Sequence, residues 1–142
     1  MKDFRGLKVW EKAHALALTV YKASAAFPSR ENFGITAQIR RAAASIPANL
    51  AEGCGRQSDR ELGRYVAIAM GSASELEYHL LLSRDLGYLS AGTYDELAAQ
   101  VIEVKRMLTG LGQRLRQNDR SNARVRRSSV EDGRQVELTA ES

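Results

Sequence analysis

The chain is predicted to be all-α, an antiparallel up-down four-helix bundle followed by a disordered polar tail. Three observations carry this. Apolar residues recur at alternating spacings of four and three through four long segments. No stretch alternates with period two between turn residues, as a half-buried strand would. The connections between the segments are short, which favours antiparallel neighbours over crossovers.

The first segment carries Val9, Ala13, Leu16, Val20, Ala23 and Phe27 on one stripe, widened by Trp10, Ala17 and Tyr21. Pro28 ends it, because a proline ring cannot continue a helix. The second is expected from about Glu31 to Gly53, with Ile35, Ile39, Ala42, Ile46 and Leu50 inward and a kink at Pro47. The third opens with Ser58-Asp-Arg-Glu61, a capping box in which the two side chains satisfy free backbone N–H groups. Leu62, Val66, Ala69, Ala73, Leu76, Leu80 and Ser83 then follow in heptad spacing to a C-cap at Leu86-Gly87. The fourth is expected to open on a second capping box, Thr93-Tyr-Asp-Glu96, and to carry Leu97, Val101, Val104, Leu108, Leu111 and Leu115 inward. Small residues in Ala69-Met-Gly-Ser-Ala-Ser74 let two helices approach closely. The bundle is therefore placed at residues 1–117. Residues 118–142, too polar to bury much, are placed in the tail.

With 142 residues the chain is long enough for one domain with a buried core. No apolar run approaches the ~18–20 residues of a membrane span. The N-terminus reads as amphipathic rather than as a signal peptide, so a cytoplasmic location is expected. The lone Cys54 excludes an internal disulfide framework and zinc sites built from cysteine pairs.

Charge is unevenly placed. The net charge is +4, yet residues 1–104 are neutral. Residues 105–127 hold Lys105, Arg106, Arg114, Arg116, Arg120, Arg124, Arg126 and Arg127 against Asp119 alone, and residues 128–142 are net acidic. A basic block of this kind marks an arm for polyanions, although arginines in a helix's last turn also complement its dipole. A second cationic group is formed by Arg40, Arg41, Arg56, Arg60 and Arg64, with Glu52, Asp59 and Glu61 near enough to neutralise part of it. Arginine outnumbers lysine in both groups, which suits forked contacts to phosphate.

Enzymatic constellations are incomplete. A carboxylate-bridged di-metal bundle needs two Glu-x-x-His motifs and two further glutamates. Glu11-Lys-Ala-His14 supplies one, whereas Glu75 and His79 are four apart. Cys54 lies beside Arg56, which favours a thiolate, but neither histidine has the local context of its base. The glycines at 53–71 make no phosphate loop. Neither a catalytic site, a metal nor a cofactor is expected. On the second helix Gln38, Arg41, Ser45, Asn49 and Glu52 form a polar stripe rich in amides and hydroxyls. Such residues suit a buried hydrogen-bonded seam or a subunit interface, and Gln38, Ser45, Asn49 and Glu52 are the interface candidates.

Gln38-Ile-Arg-Arg-Ala-Ala-Ala-Ser-Ile-Pro-Ala-Asn-Leu-Ala-Glu-Gly53 resembles the signature of the bacterial four-helix-bundle proteins related to the protein encoded in 23S rRNA intervening sequences. Phe4-x-x-Leu7-x-Val9-Trp10-x-x-Ala13, Gly71-Ser-x-x-Glu-Leu-Glu77 and Leu86-Gly-Tyr-Leu89 fall where that family's other motifs lie. The resemblance covers residues 4–115; Gly63 departs from it, as does the chain beyond Gln117. It implies an antiparallel bundle, often assembled as a ring-like homopentamer, and does not imply a catalytic activity. Relatives that serve as accessory variability proteins of diversity-generating retroelements hold a reverse transcriptase and nucleic acid. The resemblance also implies basic or polar residues at Arg40, Arg41, Arg56 and Arg60. The leading expectation is thus a non-catalytic oligomeric scaffold that binds RNA or DNA through Arg40, Arg41, Arg56, Arg60, Arg64, Lys105, Arg106, Arg114, Arg116, Arg124, Arg126 and Arg127. The alternatives are a protein–protein adaptor and, less favoured, a metal bundle enzyme.

Overall fold

The computed structural model describes residues 2–140. Among them are four α-helices: α1 (Lys8–Ser24), α2 (Ile35–Cys54), α3 (Asp59–Asp85) and α4 (Ala91–Ala140). Single 3-10 turns at Phe4–Gly6 and Ser29–Glu31 lead into α1 and α2. Each helix packs on its two neighbours in the cycle α1–α2–α3–α4 and leaves the diagonal one untouched, as an up-down bundle requires. The apolar stripes meet in one core. Leu16, Ile39, Ile46, Leu50, Leu76, Leu80, Leu97 and Leu108 are among its fully enclosed side chains.

Helix boundaries follow local chemistry. Ser58 Oγ accepts from the Glu61 amide at 3.1 Å and so caps α3. Past the end of α3, Gly87 takes a φ of 81°, which a side chain would resist. Its N–H donates to Arg84 O and that of Tyr88 to Ser83 O, both at 2.9 Å. Together these bonds form a Schellman motif that satisfies two carbonyls at the helix end.

Three expectations are corrected. The start of α2 lies at Ile35, not Glu31. Glu31 belongs to the preceding 3-10 turn, and its carboxylate accepts from the Ile35 amide at 3.4 Å. The start of α4 lies two residues earlier than the Thr93 box. Ser90 is the capping residue, its Oγ accepting from the Thr93 amide at 3.2 Å and donating to the Thr93 hydroxyl at 3.0 Å. Residues 118–140 continue α4 as helix. Among the described residues Leu115 is the last buried one, and every described side chain from Arg116 onward is exposed. The boundary at residue 117 therefore separates packed from unpacked chain rather than helix from coil. This arm is rich in arginine and serine, which are compatible with helix but have nothing to bury. Residues 141 and 142 of the expected tail lie outside the described residues.

Candidate nucleic-acid interface

The packed end of α4 runs antiparallel to α3, with Gly112 near Val66, so the arm projects past the α2–α3 loop. Most of the candidate arginines gather at that end. Arg60, in the first turn of α3, and Arg126, on the arm, line one open cleft of about 680 Å³ together with Gln57, Asn122, Asp59 and Asp119. The charge of Asp59 is offset by Lys2, 3.3 Å away. Further along, Arg120, Arg124 and Arg127 border a shallow concavity of about 470 Å³ with Gln117. Spacings of four and three set these three side chains, with Arg116, on one face of the helix.

All four are exposed, and none has an ion-pair or hydrogen-bond partner among the described residues. Arg41, Arg60, Arg106, Arg114 and Arg126 are likewise exposed and without an ion-pair partner there. The other candidates are engaged within the fold. Arg40 donates from Nε to Ser24 Oγ at 2.8 Å and from Nη2 to Tyr21 O at 3.2 Å, with its guanidinium over the Tyr21 ring at 4.8 Å. Those contacts tie α2 to α1. Arg56 donates to Glu52 Oε1 at 3.0 Å and to the Tyr65 hydroxyl at 2.6 Å, while Tyr65 donates to the same carboxylate oxygen at 3.2 Å. The bond to Glu52 is the main reason that the Arg56 pKa is raised. Lys105 reaches Glu77 at 3.5 Å across α3 and α4, and Arg64 stacks over Tyr65 at 5.5 Å.

The polar stripe on α2 closes largely on the fold itself. Ser45 and Ser72 hydroxyls meet at 2.9 Å between α2 and α3. Asn49 Nδ2 donates back to Ser45 O at 2.8 Å and to Ser45 Oγ at 2.9 Å. Gln38 alone of the four interface candidates is exposed with no side-chain partner among the described residues. Sequence reasoning did not single out Tyr65 and Ser72, which complete these networks, nor Arg120 among the binding residues. The spacing of Arg116, Arg120, Arg124 and Arg127 was the available signal for the last.

The groups considered for catalysis are placed otherwise. Cys54 is buried, and burial pushes its thiol pKa up, with Lys2 opposing the shift. His14 stacks on Trp10 with ring centroids 5.0 Å apart. His79 is buried, its Nε2 3.2 Å from Glu75 Oε1. Among the described residues no group of three or more His, Cys, Asp or Glu is placed to hold a metal ion. No described helix is long and apolar enough to cross a membrane.

A separate apolar groove lies between α1 and α2, about 440 Å³ in volume, lined by Phe4, Trp10, Leu18, Tyr21, Pro47 and Ala51 among others. Leu18 and Tyr21 are 50% and 45% exposed there.

Comparison with known proteins places these features in context. The model of the 23S rRNA-intervening sequence protein family matches residues 5–110. Among solved structures, the chain is similar to a protein of unknown function from the S23 ribosomal protein family of Bacteroides thetaiotaomicron VPI-5482. The two are 26% identical with a TM-score of 0.66, over 72% of this chain and 96% of that one. A search of curated proteins gives no match. The family match stops at residue 110 and leaves the arm outside it.

Proposed function

The chain belongs to the 23S rRNA-intervening sequence protein family, and we propose that it is a non-catalytic scaffold that binds nucleic acid through phosphate contacts. One observation carries this reading. Arg116, Arg120, Arg124 and Arg127 share an exposed helix face, and no acidic side chain among the described residues pairs with them. An unpaired cationic face releases condensed counterions when it meets a polyanion. Affinity then falls linearly with salt on a log–log plot, by about 0.9 per neutralised phosphate on duplex DNA. Truncation after Gln117 removes Arg120, Arg124, Arg126 and Arg127. The slope is expected to become shallower by about 3 to 4, one contribution per lost contact. An unchanged slope for the truncated protein would remove the arm from the function.

We also propose self-association through the α1–α2 groove, since paired Leu18 and Tyr21 side chains would there leave water. A ring of subunits repeats the arm, so that weak single contacts gain avidity. Leu18→Glu is expected to leave the bundle folded and to lower its mass in sedimentation. An unchanged mass refutes the contact and leaves the arm's role as it stands.

A further inference from the structure

We propose that the arm of α4 binds B-form duplex DNA by lying as a continuous helix in the major groove. The inference rests on the electrostatic reading above and adds to it the form of the nucleic acid.

The first observation is the width of the cationic band. On a helix that turns about 100° per residue, Arg126 and Arg124 stand about 160° apart, with Arg116, Arg127 and Arg120 between them; Asp119 and Glu131 fall in the same arc, so that arginine outnumbers acid there. A helix lying on the outside of a duplex uses one narrow stripe. A helix lying between two phosphate walls needs cations on both flanks, and this band supplies them. The flank at Arg126 is continued by Arg60 across the cleft, so that one wall of phosphates meets both the arm and the bundle.

The second observation is exposure. From Arg116 to Arg134 every side chain is exposed, and the bundle borders the arm along the cleft that Gln57, Asp59 and Arg60 share with Asp119, Asn122 and Arg126, leaving the face of Arg120, Arg124 and Arg127 open to a groove. The helix with its side chains is about 10–12 Å across. The major groove of B-DNA is about 12 Å wide and admits it, whereas the A-form major groove of duplex RNA is too narrow and deep.

The third observation concerns stability. Arg116, Arg120 and Arg124 follow one another at i, i+4, a like-charge ladder that weakens an isolated helix. No tertiary packing compensates for it along this stretch. Phosphates on either side relieve the repulsion, so the helix is expected to be firmer on DNA than off it.

The test compares a 20-base-pair duplex DNA with duplex RNA of the same sequence, on the full chain, by fluorescence anisotropy at fixed salt. DNA is expected to bind at least about tenfold tighter. Far-UV circular dichroism is expected to show increased helicity on DNA addition. Ala123→Pro breaks the arm without changing its charge and lies outside the core. It is expected to lower DNA affinity to about that for RNA while leaving the melting of the bundle unchanged. Equal or tighter binding to RNA, or full DNA affinity in Ala123→Pro, overturns the major-groove inference and leaves the electrostatic reading intact. Absence of binding to either duplex at low salt overturns both.

Discussion

Substituting Gly53 and Gly63 by alanine should move the stability of the bundle in opposite directions. Gly53 lies in the last turn of α2, packed against α3. A Cβ there would sit 2.8 Å from both Leu62 Cδ1 and Tyr65 Cβ. Leu62 could swing its terminal methyl, but the Tyr65 Cβ is fixed to its backbone. The two helices must therefore part by about 0.6 Å or more to reach ordinary contact. Overpacking of this kind costs about 1–3 kcal/mol. The gain in helix propensity from glycine to alanine is at most about 1 kcal/mol and is smaller in the last turn. The net effect of Gly53→Ala is a loss of about 1–2 kcal/mol, or a fall in Tm of roughly 4–10 °C. Gly63, by contrast, has nothing within 4 Å of the corresponding position and lies inside α3. Gly63→Ala should then gain about 0.5–1 kcal/mol, or roughly 2–5 °C. Thermal melts followed at 222 nm read both shifts in one experiment. A Gly53→Ala protein that melts at or above the wild type would refute the close approach at the base of α2.

Three further outcomes are expected. Ser58→Ala removes the acceptor for the Glu61 amide and should cost about 1 kcal/mol in urea denaturation, with an unchanged m-value. A double-mutant cycle on Ser45→Ala and Ser72→Ala should return a coupling of about 0.5–1.5 kcal/mol, since each serine is the other's partner at 2.9 Å; a coupling near zero would dissolve the seam. Cys54 should react slowly with a thiol reagent in the native state and fast in denaturant. Because its pKa is raised in the fold, the stability it contributes is present below the unfolded thiol's pKa and declines as pH rises through the folded one. Native-state reaction as fast as that of the denatured chain would place the thiol at the surface.

Packing was the legible part of the fold. Leu97, Val101, Val104, Leu108, Leu111 and Leu115 are all buried as their spacing predicts, because periodicity is set by the surface a helix must cover. The start of α4 was misplaced because Ser90 and Thr93 are both good caps, and three residues of spacing cannot say which one the chain uses. The arm's helicity was missed for a related reason. Low hydrophobicity signals the absence of a buried face, which disordered chain and solvated helix share. At the candidate site, charge density located the right end of α4, but composition could not tell which arginines the fold consumes. Arg40 and Arg56 carry the same charge as Arg120, yet Ser24, Tyr21, Glu52 and Tyr65 occupy them. Glu52 is a local partner, four residues from Arg56, whereas Ser24, Tyr21 and Tyr65 lie 9 to 19 residues away in sequence and become neighbours only when the helices pack.

The absence of any break in α4 at Leu115 gives the molecule a lever. The 25 residues from there to Ala140 extend about 37 Å at 1.5 Å per residue. A tilt of about 5° where α4 leaves the core would sweep its tip through about 3 Å on such a rod. Load applied to the arm is thus delivered, as torque, to the layer of side chains around Leu111 and Leu115. Pulling on the arm in a single-molecule trap should accordingly begin to unfold the bundle at its α2–α3 loop end rather than at Gly87.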